Sequence, residues 1–129
     1  MIMETRLLAF DGPNKSSVPR GDRNVTHVVL HLMSNDVQNP SDPYDIKQVR
    51  QIFVDYKLSS HCLIARDGFA LKLVEEDRIA WHAGRCFLDD FPEHTNKLNS
   101  YSVGIEFHAV GSRDEMTPKY LSRSAYGRP

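Results

Sequence analysis

The sequence predicts an α/β fold, a small central mixed β-sheet flanked by helices. Three observations carry that expectation: a β-branched, aliphatic run at 25–33 (VTHVVLHLM), helically spaced apolar residues through 42–56, and strict alternation at 101–110 (YSVGIEFHAV). Strand, helix, hairpin, strand, helix is an order that packs helices onto a sheet. A chain of 129 residues has room for one domain with a modest core.

Residues 1–22 carry Gly12, Pro13, Pro19 and Gly21 among polar residues and read as an irregular N-terminal extension, with the domain proper over 23–129. Residues 25–33 read as a buried strand. In the segment SNDVQNPSDP that follows, Asp42 is placed to cap a helix and Pro43 to open its first turn. Ile46, Val49, Ile52, Phe53 and Tyr56 then share one face, with Lys47, Gln48, Arg50, Gln51 and Asp55 outside. Segments 61–66 and 69–74 flank Asp67-Gly68, a pair suited to a type I′ hairpin turn. Residues 85–99 form a polar loop. Along 101–110, Tyr101, Val103, Ile105, Phe107 and Ala109 face one side and Ser102, Gly104, Glu106, His108 and Val110 the other. Thr117-Pro118 resembles the start of a further helix.

Composition narrows the function. Lys and Arg number 16 against 17 Asp and Glu, a net charge of −1, so there is no basic stripe to follow a phosphate backbone and no nucleic-acid partner is expected. No apolar run approaches the ~18 residues of a membrane span. No basic stretch followed by an apolar one opens the chain, so a cytoplasmic location is expected. In that compartment Cys62 and Cys86 are expected as thiols.

Six histidines stand out in so short a chain. His27 and His31 have i,i+4 spacing, but in a strand four residues span ~13 Å, too far to grip one ion together. Glu106 is more telling, because a carboxylate in mid-strand is costly to bury unless paired or working. Gly104 beside it removes a side chain where another group can approach. Alternatively, that face is simply wet. Trp81 and His82, within Ala80–Gly84, either line a ligand cleft or form an ordinary turn around a packed tryptophan.

Three segments together, VVLHLMS at 28–34, SSHCLIARDGFALKLVEEDRIAWHAG at 59–84 and NSYSVGIEF at 99–107, resemble the zinc-dependent N-acetylmuramoyl-L-alanine amidases of type 2. That family shares its fold with the peptidoglycan recognition proteins. The resemblance implies Zn²⁺ as cofactor, peptidoglycan or a muropeptide as partner, and hydrolysis of the amide between N-acetylmuramic acid and L-alanine. It implies His31 as a zinc ligand, Glu106 as the catalytic carboxylate, Trp81 and His82 as substrate-groove residues, and His61 as a supporting residue. The family's other two ligands follow the helix after SVGIE and are not found in this sequence, so the resemblance implies a C-terminally incomplete domain. A non-catalytic peptidoglycan-binding remnant, or an inactive truncated fragment, is the alternative expectation.

Overall fold

The computed structural model of the chain describes residues 3–10 and 12–109. Its strands are β1 (Met3–Thr5), β2 (Ser17–Pro19), β3 (His27–Met33), β4 (Cys62–Ile64), β5 (Ala70–Lys72), β6 (Arg78–Ala80) and β7 (Ser102–His108); among the described residues there is one α-helix, α1 (Ile46–Tyr56), and two short 3-10 turns, Pro92–His94 and Leu98–Tyr101. The central sheet is mixed, in spatial order β1-β5-β4-β7-β3; β2 and β6 form a separate antiparallel pair. β7 runs parallel to both its neighbours, β3 and β4, while β4 and β5 form the antiparallel hairpin. This is the expected mixed α/β architecture. The helix expected from Thr117 lies outside the described residues.

The core forms where α1 covers the sheet. Val49 and Phe53 from the helix meet Leu63, Leu71, Leu73 and Leu8. The helix begins later than the Asp42-Pro43 pair suggests. Asp45 is the cap, its carboxylate accepting from the Lys47 and Gln48 backbone N–H groups at 2.9 and 3.1 Å, which satisfies two of the donors that every helix start leaves open. Asp42 instead closes the preceding turn through its carbonyl. At the other end Lys57 takes a left-handed conformation and returns its N–H to the last turn.

Three further expectations are corrected. The 1–22 segment is not irregular throughout: β1 pairs in parallel with β5 at the sheet edge, and β2 pairs with β6. Strands of three residues are too short to show a period, so glycine and proline dominate that stretch of sequence. Next, β3 is an edge strand with alternating exposure rather than a buried one, leaving Val28, Leu30 and Leu32 exposed on the face away from α1. An aliphatic run signals a strand but not the number of faces that are covered. Finally, the hairpin turn is not type I′, since Asp67 does not adopt positive φ and Gly68 does, at 89°. The Gly68 N–H bonds the Ala65 carbonyl and the Ala65 N–H bonds that of Phe69, a type I turn followed by a left-handed glycine. The Asp67 carboxylate accepts the Phe69 N–H at 2.9 Å.

One consequence of the sheet bears directly on function. Along β7 the polar side is covered throughout: Ser102, Gly104, Glu106 and His108 are buried, while on the other side Phe107 is buried and Val103 and Ile105 are half-buried. The wet-face alternative for Glu106 is therefore excluded.

Candidate active site

The parallel pairing of β3 with β7 sets His31 directly opposite Glu106. Both side chains stand on the α1 side of the sheet, with Met33 and Leu63 as same-face neighbours. They line a cavity of about 260 Å³ together with Phe53, Leu58, Trp81 and His82. Four of the five residues singled out from the sequence (His31, Trp81, His82 and Glu106) thus share one space. His61 does not line it, but its ring lies 6.0 Å from that of His82.

Glu106 is 8% exposed, and no hydrogen bond or ion pair holds its carboxyl among the described residues. Burial alone pushes its pKa up to about 7, because the charged form loses water and gains nothing in return. Burial also lowers His31 below the ordinary imidazole value. His82 falls further, to about 3, through burial first and then the neighbouring His31, His61 and Arg20. The cavity therefore holds neutral imidazoles beside a carboxyl poised near neutrality.

Local structure fixes each ring. The His82 ring lies against Gly104, where a Cβ would come within 2.5 Å of the imidazole Cγ. The glycine makes room for the histidine. The Asn99 side-chain oxygen accepts from the backbone N–H groups of His82 and Ala83 at 3.1 and 2.8 Å. The His82 ring spans from His31 (Nε2 to Nδ1, 3.1 Å) to Ser102 (Nε2 to Oγ, 3.1 Å). Trp81 is tied on both sides: its backbone N–H donates to Ser59 Oγ and its indole N–H to the Lys15 carbonyl, each at 2.8 Å. His61 accepts the Gly104 N–H on Nδ1 at 3.0 Å and donates from Nε2 to the Arg78 carbonyl at 2.9 Å.

Sequence reasoning missed Arg20, Ser59, Asn99 and Ser102. Arg20 is 4% exposed and its guanidinium donates to five backbone carbonyls, those of Glu76, Arg78, Asn99, Ser100 and Ser102, at 2.7–3.5 Å. It joins the 76–78 turn to the start of β7 and lies 3.3 Å from His61. Nothing in a polar, glycine- and proline-rich stretch marks one arginine as buried. Asn99 and Ser102 carried a signal only through their neighbourhood to Glu106.

Other polar groups lie elsewhere. His108 shares Glu106's strand face, yet it borders a different cavity with Tyr44 and Arg66, and burial lowers its pKa to about 4. His27 and His94 join Phe91 and Tyr101 in a ring cluster. Both cysteines are free thiols, with burial raising Cys62 to about 11.

A zinc ion held by protein needs at least three side-chain donors. Among the described residues no three His, Cys, Asp or Glu side chains come together to hold a metal. His31 supplies one such donor, so the described residues by themselves do not fit a zinc site.

The site is thus a mixed α/β sheet carrying a buried carboxyl, without a hydrogen-bond partner among the described residues, opposite an imidazole in one cavity. A family model described as N-acetylmuramoyl-L-alanine amidase matches residues 21–126, and the chain belongs to that family. Among curated relatives, the 1,6-anhydro-N-acetylmuramyl-L-alanine amidase AmpD of Escherichia coli (strain K12) is 32% identical over 72 residues, which cover 56% of this chain and 37% of that protein. AmpD of Citrobacter freundii is 40% identical over 69 residues, covering 54% and 35%. The matches thus span little more than a third of those relatives. Two solved structures share the fold. A selenomethionine AmpD derivative superposes with a TM-score of 0.60 at 23% identity, covering 89% of this chain and 68% of that one. The N-acetylmuramoyl-L-alanine amidase LysCS from Clostridium intestinale gives 0.54 at 15% identity, covering 94% and 66%.

Proposed function

We propose that this chain acts on the amide between N-acetylmuramic acid and L-alanine in muropeptides or peptidoglycan, with Glu106 as the proton-transfer group. The observation that carries the reading is the placement of Glu106, buried and raised to about 7, opposite His31 in one cavity. A general base works best when its pKa lies near the working pH. As carboxylate, Glu106 takes the proton of a water attacking the amide carbonyl. As carboxylic acid, it returns that proton to the departing L-alanine nitrogen. Trp81 and His82 line the substrate side, and His61 supports His82 from behind.

Zinc dependence belongs to this proposal on the strength of the family alone, with His31 the donor this chain offers. Cytoplasmic muropeptide turnover is the setting in which such a chain would work; among the described residues no helix is long and apolar enough to cross a membrane. The test is incubation of the purified chain with a muropeptide, with and without added Zn²⁺, following release of the stem peptide by mass spectrometry. Release that depends on Glu106 supports the reading; a folded chain that releases nothing under either condition defeats it.

The absence of a three-donor cluster among the described residues favours a second reading, a groove that binds muropeptide without cutting it. Calorimetric binding that is unaffected by chelator, from a chain without hydrolysis, is its signature. No binding at all removes it.

A further inference from the structure

The His31–His82–Ser102 contacts form a directed chain, and elementary hydrogen-bond bookkeeping fixes where each proton sits. Ser102 is fully buried, so no solvent competes for its hydroxyl. Its Oγ lies 2.7 Å from the Leu98 carbonyl, which can only accept, so the single hydroxyl proton points there. The Oγ must then accept at its other contact, the 3.1 Å approach of His82 Nε2, which places a hydrogen on that nitrogen. A neutral imidazole carries one N–H, so His82 Nδ1 is an acceptor. Its 3.1 Å partner, His31 Nε2, is therefore the donor. One nitrogen of His31 remains, and it has a lone pair.

We propose that His82 and Ser102 are positioning residues that hold His31 in a single neutral tautomer, proton on Nε2, presenting the Nδ1 lone pair to the cavity. The proposal deepens the reading above and rests on His31 working in that cavity. The opposite tautomers would set a His82 lone pair against an Oγ whose proton is already committed, leaving a buried bond unmade; that favours the stated form by about tenfold or more. Two features keep the chain from rearranging. Asn99 anchors the His82 backbone, and the ring fills the space that Gly104 leaves open. Without this relay a cavity imidazole would exchange between tautomers and offer a donor to half the approaching groups it should accept from.

The experiment is two-bond ¹⁵N–¹H correlation spectroscopy of the ¹⁵N-labelled full chain at a pH above neutrality, which reports which ring nitrogen bears hydrogen. The wild type is expected to show His31 protonated on Nε2 by at least about tenfold over Nδ1. Ser102→Ala should bring up the Nδ1–H form of His31, and Ser102→Thr, which keeps a hydroxyl, should restore the wild-type pattern. A wild-type His31 that is mixed or protonated on Nδ1 overturns the proposal without any variant being needed; so does a folded Ser102→Ala with an unchanged tautomer. Adding muropeptide to the same sample separates the two claims. An unshifted cavity with a locked His31 defeats the substrate reading alone, whereas a shifted cavity with a mixed His31 defeats the relay alone.

Discussion

Gly104 and His82 occupy one space between them: the imidazole sits where a side chain on β7 would stand, with Cγ 2.5 Å from the position of a Cβ. Gly104→Ala should push His82 out of line, break its bonds to His31 and Ser102, and destabilise the fold by about 1–3 kcal/mol as overpacked sites do. Backbone strain is not the cause, since Gly104 lies in an ordinary extended strand. Denaturant melts measure the stability loss, and loss of the His82 ring signals at their native positions confirms the displacement.

Glu106 and the buried histidines pull stability in opposite directions with pH. Glu106 is raised in the folded state, so the unfolded chain gives up its proton first. Its contribution is favourable below about pH 4.5 and declines as pH rises through about 7, by about 3 kcal/mol in all. His82 and His108 are lowered in the folded state, so their contribution is full above the unfolded value of 6.5 and is lost as pH falls toward about 3 and about 4 respectively. Glu106→Gln should remove the decline on the alkaline side and leave the acid limb intact. Chemical denaturation from pH 4 to 9 checks both limbs.

The same substitution should separate chemistry from folding. Glu106→Gln keeps the size of the side chain and removes the proton acceptor, so turnover of muropeptide should fall by about 10²–10⁴-fold with stability at pH 8 unchanged or improved. In the wild type, kcat/KM should rise with pH through about 7 as Glu106 ionises. A flat profile across that range would remove Glu106 from the reaction.

Arg20 is a structural clamp. Arg20→Met removes a donor from five carbonyls, of which that of Arg78 keeps its bond from His61 Nε2, and should cost several kcal/mol, since each buried unmade bond costs about 1–3 kcal/mol. Arg20→Lys should rescue little, because one ammonium cannot reproduce the guanidinium fork. Urea melts of the two variants test this, and ¹⁵N shifts of His61 and Gly104 should report the loosened turn.

Sequence patterns exposed the central strands and the helix, because each rests on a period or a local motif, whereas the pairing of His31 with Glu106 in one site was implied by the family resemblance. Alternation along β7 gave the correct two faces but left open whether the polar one was covered: Ser102, Glu106 and His108 are buried, as are Phe107 and Ala109 on the apolar face, while Val103 and Ile105 are half-buried. Polar residues went inside because α1 and the 58–61 and 81–82 segments pack over them, a tertiary fact with no local trace. The same limit hid β1 and β2, whose pairing partners lie some sixty residues away, and Arg20, whose carbonyl cage is assembled from two distant turns. The resemblance to a family supplied roles for His31, Glu106, Trp81, His82 and His61; the residues that orient them are brought to the site by the tertiary fold alone.

The ionisation of Glu106 is the quantity on which the account turns. Following the ¹³C shift of its side-chain carboxyl from pH 3 to 9 in the folded chain measures it without reference to any substrate. The account predicts a midpoint near 7, displaced when muropeptide fills the cavity. A midpoint at the ordinary glutamate value of about 4.3, unmoved by muropeptide, would show a solvated carboxylate and contradict a proton-transfer role at this site.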